Sequence, residues 1–151
     1  TKTGQKDARS ARAREKRQAK EKTKSNADLA REAQTEFNRY IRARDYGLHC
    51  ICCDREPDGT AQFHAGHYKP VGANPHLRFD EQNCHACCAA CNTHLSGNLG
   101  MYREGLRVRY GTNILEYLET PQPAKNYRAD DLREIKKTYR AKWQRLEKSR
   151  Q

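Results

Sequence analysis

Apolar side chains are sparse along this chain and fall into helical stripes separated by an aperiodic interval. From Asn26 onward, Leu29, Ala33, Phe37, Tyr40 and Ile41 recur at the spacing that places them on one helix face, and Gly47 is suited to end that helix. After Asn92 the residues Leu95, Leu99, Tyr102 and Leu106 resume helical spacing, and the step Ser96-Gly97-Asn98 can end one helix and cap the next. A short helix is predicted over 114–118, with Asn113 and Glu116 in capping-box spacing. Pro121 and Pro123 mark a connector. Beyond it Leu132, Ile135, Tyr139, Trp143 and Leu146 form an amphipathic stripe whose opposite face is Lys and Arg, a helix expected to pack back on the domain or on a partner helix.

Two intervals lack such a stripe. Residues 48–92 carry Cys, His, Gly, Pro and Asn with only short apolar runs, which predicts loops and a small hairpin held by metal. Residues 1–25 have almost no apolar side chain with which to offset ordering entropy, so they are expected to form a disordered basic arm, or a solvated helix, able to lie along a phosphate backbone. The predicted organisation is therefore an arm over 1–25, a metal-bound domain with its leading helix over 26–120, and a connector with a basic amphipathic helix over 121–151. No internal repeat is present.

Composition sharpens this picture. Of 151 residues 35% are hydrophobic and 32% charged, so one compact domain with a small core is expected, and a small core needs a staple. The seven cysteines cluster as Cys50, Cys52, Cys53 and Cys84, Cys87, Cys88, Cys91, an arrangement that favours metal over disulfides and implies a reducing cytoplasm. The chain holds no apolar run long enough for a membrane and no secretory h-region at its start. A net charge of +11 and a pI near 9.5 call for a polyanionic partner, since Lys and Arg gain binding free energy by releasing counterions from phosphates.

Cys50-x-x-Cys53 and Cys88-x-x-Cys91 have the tight-turn spacing that brings four thiolates to one tetrahedral Zn²⁺. Cys84-x-x-Cys87 is an equally legal pair and Cys52 a further competitor, so spacing alone leaves the second pair open. Cysteines left over are expected to serve as small buried hydrophobes. A site filled by four protein ligands is structural and does no catalysis itself.

Taken in order, Cys50-x-x-Cys53, Gly66-His67, Asn83 and Cys88-x-x-Cys91-Asn92 resemble the HNH endonuclease motif of zinc-bound ββα-metal folds. The stretches HAGHYKPVGANPHLRF, NCHACCAACNTHLSGNL and YREGL more closely resemble the NinG (Rap) recombination proteins of lambdoid phages, over residues 36–145. The resemblance implies an α+β fold, a small zinc-stapled ββα-metal core flanked by helices. It selects Cys88 and Cys91 for the zinc and leaves Cys84 and Cys87 at positions that are usually apolar.

It further implies a metal-dependent, structure-specific endodeoxyribonuclease that cuts branched recombination intermediates, D-loops and Holliday junctions, in the cytoplasm of a phage-infected bacterium. His67 falls on the general base, Asn83 on the residue that braces the loop carrying the base, and Asn92 on a ligand to a catalytic Mg²⁺ or Mn²⁺. Many HNH proteins have a second metal ligand just before the base, where this chain has Gly66, and His64 is the nearest substitute. Lys69, Arg78 and Arg103 are candidate phosphate contacts, and His85, His94 and Asn98 are further polar residues beside the site. Phage recombination proteins are possible partners, and paired cuts on a symmetric junction would suit a homodimer. The alternative is a noncatalytic zinc-stapled DNA-binding adaptor, which the missing ligand at Gly66 favours.

Overall fold

The computed structural model describes residues 2–151; Thr1, the head of the expected arm, lies outside them. The chain is mostly helical with one small antiparallel sheet. In order, it forms α1 (Lys2–Lys22), α2 (Asn26–Arg44), β1 (His64–His67), β2 (Cys84–Cys87), α3 (Leu99–Tyr110), α4 (Asn113–Glu119) and α5 (Ala129–Ser149).

The chain starts α2 where Ser25 can cap it: the Ser25 hydroxyl accepts from the Asp28 N–H at 3.1 Å, and the Asp28 carboxylate sits favourably at the positive end of the helix. Leu29, Ala33, Phe37 and Ile41 are all buried, as their spacing predicts. Across from them α5 buries Leu132 and Tyr139, and the Phe37 and Tyr139 rings meet edge to face with centroids 4.8 Å apart. Its first turn is closed by Asp131, whose carboxylate accepts from the Arg128 N–H at 2.9 Å. The last helix is thus half of the chain's main helix pair.

A second apolar cluster lies on the cysteine side, built from Ile51, Tyr68, Leu77, Tyr102, Leu106, Leu115 and Leu118 together with Cys50, Cys87 and Cys91. The hairpin separates the two clusters. Its register pairs His64 with Cys87, Ala65 with Ala86, Gly66 with His85 and His67 with Cys84. Side chains alternate along a strand, so His64, Gly66, His85 and Cys87 face the cysteine cluster, while Ala65, His67 and Cys84 face α2.

Gly105 fixes where α3 lies. A Cβ there would come within 1.7 Å of the Ile51 carbonyl oxygen, so the helix backbone rests directly on the loop of the first cysteine pair.

Four local expectations need correction. The described part of the 1–25 arm is helical from Lys2 to Lys22 and takes the solvated form rather than a disordered one. Leu95 and Leu99 are exposed, because Ser96, Gly97 and Asn98 all adopt positive φ and turn the chain before α3 begins. The expected capping box of the short helix is absent: α4 opens at Asn113 itself, with Thr112 at the cap and no side-chain cap bond. After β2 the chain makes a single π-helical turn over Ala90–His94 where a ββα unit would place a longer helix. Among the described residues, no helix is long and apolar enough to cross a membrane.

Candidate metal centre and the paired histidines

Four sulfurs converge at one end of the hairpin. The Sγ atoms of Cys50, Cys53, Cys88 and Cys91 all lie within 4.8 Å of one another. A Zn–S bond of about 2.3 Å puts the sulfurs of a tetrahedron about 3.8 Å apart, and Cys53 and Cys88 are separated by 3.8 Å. Cys50 accepts the Cys88 backbone N–H at 3.3 Å, and the Asn98 amide donates to Cys91 Sγ at 3.5 Å. Hydrogen bonds to Cys52 and Cys87 hold the Cys50 thiol far below its ordinary range. The set could hold a metal ion, and four thiolates with N–H donors to their sulfurs suit structural zinc.

Immediately after Cys91, the Asn92 amide nitrogen lies 3.0 Å from His64 Nδ1. Gly66 makes this approach possible. A Cβ there would stand 2.9 Å from Asn92 Oδ1 and 3.0 Å from Cys87 Cβ, so any larger residue would displace Asn92 from the strand. Where the sequence shows a missing ligand, the structure shows a seat for the Asn92 side chain.

His67 projects from the other face of β1. Its Nε2 is 2.9 Å from the Arg78 carbonyl oxygen, which fixes Nε2 as the N–H donor and leaves Nδ1 without a proton. The ring stacks on Phe37 at 5.9 Å, and Nδ1 is 3.8 Å from Cys84 Sγ. Burial pushes the His67 pKa below its ordinary value, so the imidazole is neutral at neutral pH.

Asn83 is wholly buried and bonds the chain between the strands at three points. Its Oδ1 accepts from the Lys69 N–H at 2.8 Å, and its Nδ2 donates to the carbonyls of Lys69 at 3.1 Å and Leu77 at 3.2 Å. This ties down the segment that leaves His67 and returns with the Arg78 carbonyl.

The outer edge of β1 is open. Tyr68 N–H bonds the Asn83 carbonyl, whereas Ala86 gives its N–H to Asp45 and its carbonyl to Ile51, away from β1. By antiparallel alternation, the backbone groups of Ala65 and His67 must then point outward, and they find no partner among the described residues.

The candidate phosphate contacts are unequal. Lys69 reaches over the Tyr68 ring, Arg78 donates to Gln34 at 3.0 Å, and Arg103 is held by Glu119 at 2.9 Å. His94 is exposed. His85 is buried, with Nδ1 3.2 Å from the Tyr102 hydroxyl, and burial lowers its pKa to about 3, so it is a core residue. Cys84 is likewise a buried thiol, pushed up by burial.

Two supporting residues escaped the sequence reading. The Tyr102 hydroxyl donates to the Gly66 carbonyl at 2.7 Å, and Arg44 donates to the carbonyls of Glu81 and Cys84, each at 2.8 Å. Tyr102 was visible as a member of an apolar stripe, but nothing in the pattern marked its hydroxyl.

The model of the family described as "Bacteriophage Lambda NinG protein" matches residues 1–149. The chain is 40% identical to protein ninG of Escherichia phage 933W, over 80% of this chain and 59% of that protein. It is 39% identical to protein ninG of Salmonella phage P22 and 38% identical to that of Escherichia phage lambda, each over 80% of this chain and 58% of the relative. The chain therefore spans just under three-fifths of the length of the curated relatives it matches. No solved structure matches it.

Proposed function

Since the chain belongs to the NinG family of phage proteins, we propose that it is a metal-dependent endonuclease of HNH type, acting on branched DNA intermediates of phage recombination. The observation that carries this reading is the meeting of Asn92 and His64, 3.0 Å apart over Gly66 and next to a thiolate zinc set, on the strand that also bears a neutral His67.

With the Asn92 side-chain amide turned so that its oxygen replaces its nitrogen beside His64, the pair would offer one imidazole nitrogen and one amide oxygen, a donor set without charge. It fits a Mg²⁺ or Mn²⁺ that takes its remaining ligands from phosphate and water. Bound there, such an ion would neutralise charge on the scissile phosphate and the leaving 3′ oxygen. In this reading the DNA backbone runs along the open edge of β1, where the Ala65 and His67 backbone groups are without partners among the described residues. From the far face His67, once its Nδ1 has turned away from the Cys84 thiol, accepts the proton of the attacking water as its oxygen bonds to phosphorus and the P–O3′ bond breaks. Asn83 positions His67 by holding the segment that supplies the Arg78 carbonyl. The zinc set keeps the turn that carries Asn92 in place and takes no part in the reaction.

DNA affinity comes largely from α1, whose exposed cations lie outside the nuclease core and can grip a second duplex arm. That is the support for a branched substrate.

The second reading is a DNA-binding adaptor without catalysis. It is favoured by the placement of His67 and the His64–Asn92 pair on opposite faces of the hairpin.

Cleavage of labelled four-way and linear DNA by the wild type and His67→Ala, with Mg²⁺ or Mn²⁺ and under chelation mild enough to retain zinc, separates the two. We expect metal-dependent junction cutting that falls at least about 100-fold in the variant while binding persists. Because the base must be neutral and its pKa is depressed, the acidic limb of the rate profile should have its midpoint below pH 6.5. Tight binding without cutting under any metal would establish the adaptor.

A further inference from the structure

Two cysteines outside the zinc set lie against one of its members. Cys52 and Cys87 place their sulfurs 3.5 Å apart, Cys87 Sγ is 4.0 Å from Cys50 Sγ, and all three sulfurs fall within 4.8 Å of one another. The adjacent residues repeat the arrangement outside: Cys53 and Cys88 are 3.8 Å apart and belong to the four-sulfur set. Cys50 is common to both groups.

The two groups differ in what surrounds them. Cys53 is exposed at the outer set, whereas Cys50, Cys52 and Cys87 are all buried in the apolar cluster with Ile51 and Tyr102. Apart from the Cys88 N–H on Cys50 Sγ at 3.3 Å, the polar neighbour of the group is the Gly97 carbonyl, 3.7 Å from Cys52 Sγ. A filler role for Cys52 and Cys87 requires only volume and gives no reason for both sulfurs to converge on a zinc ligand. Three soft donors without a fourth, closed to water, suit an ion that accepts trigonal sulfur coordination. Metal–sulfur bonds of about 2.3 Å in a trigonal plane put the sulfurs about 4.0 Å apart, close to the spacing here. Zinc prefers four ligands and is the poorer match.

We propose that Cys50, Cys52 and Cys87 form a second metal site, a buried trithiolate for a soft monovalent ion of the Cu(I) class, joined to the zinc set through Cys50 as a bridging thiolate. Uptake replaces the S–H protons of Cys52 and Cys87, which pass to solvent, and no electron is transferred. The site does not depend on nuclease activity.

The test is anaerobic titration of the zinc-loaded full chain with Cu(I) buffered by bicinchoninate, following bound copper, released zinc and the thiolate-to-copper absorption in the ultraviolet. The expected result is one Cu(I) per chain with zinc retained. In both Cys52→Ala and Cys87→Ala, copper affinity should fall at least tenfold with one zinc still present, which also reports a folded core. Copper uptake that expels zinc in proportion, or that is unchanged in both variants, would overturn the proposal by assigning copper to the outer set. Loss of zinc from both variants would overturn it too, since the two cysteines would then belong to the zinc site.

Discussion

α1 and α5 are each 21 residues long and rich in Lys and Arg, yet they have opposite fates. In α1, nine basic residues stand against Asp7, Glu15 and Glu21, and the cations from Lys6 to Lys22 form no ion pair among the described residues. In α5, Lys136 pairs with Glu32 at 2.8 Å, Arg140 with Glu36 at 2.8 Å, Lys142 with Glu81, and Arg133 with Asp130 at 3.1 Å. Among its basic residues Arg145 and Lys148 stay without a carboxylate. What separates the helices is the apolar stripe. Leu132, Ile135 and Tyr139 dock α5 on α2, which brings its cations to the α2 carboxylates, whereas α1 lacks an apolar stripe, meets α5 at its C-terminal end through Glu21 and Arg133, and leaves its cations from Lys6 to Lys22 unpaired among the described residues. Unpaired charge, not basic composition, is what distinguishes α1 from α5, and on the proposed function it makes α1 rather than α5 the element expected to meet DNA.

The sharpest way to break this contrast is to remove the docking. Leu132 is 2% exposed, and Leu132→Ala should cost about 3–4 kcal/mol, read as a fall in the urea midpoint. A comparable shift from an Ala→Gln change on the exposed face of α1 would show that α1 is docked as well. Next in size, replacing the Lys and Arg residues of 6–22 with Gln should leave the melting temperature unchanged. The same variant should weaken binding to a DNA duplex by about 100-fold at low salt and flatten the dependence of log K on log salt. An unchanged salt slope would remove α1 from the interface. The smallest effect should be that of Arg140→Ala. It leaves the buried Glu36 carboxylate with Arg39 at 3.5 Å as its remaining ion-pair partner. With Arg140 itself half exposed, this should cost about 1 kcal/mol in chemical denaturation and nothing in DNA affinity. Loss of affinity in that variant would mean that α5 also reaches DNA.

Much of the fold was legible because periodicity reports burial directly: Leu29, Ala33, Phe37 and Ile41 were assigned to one helix face and all four are buried. The zinc set was legible in the same local way, since a Cys-x-x-Cys turn brings two sulfurs together whatever lies around it. The ambiguity between Cys84/Cys87 and Cys88/Cys91 was not local. The hairpin register resolves it, sending Cys84 toward α2 and Cys87 to the inner sulfur group while Cys88 and Cys91 join the outer one. Leu95 and Leu99 were misread because helical spacing continues through a turn that positive φ at three successive residues makes non-helical.

Local spacing and composition alone were enough to place α2, α4 and α5, the candidate metal ligands and the basic character of the chain, because each depends on neighbours a few residues apart. Tertiary packing decided the rest. It set His64 against Asn92, turned His67 to the opposite face, made Gly66 the space that Asn92 occupies and gave the α5 cations their partners in α2. Those contacts join residues as far apart as His64 and Asn92 or Glu36 and Arg140, 28 and 104 positions, and only the folded backbone determines which side chains meet over such separations.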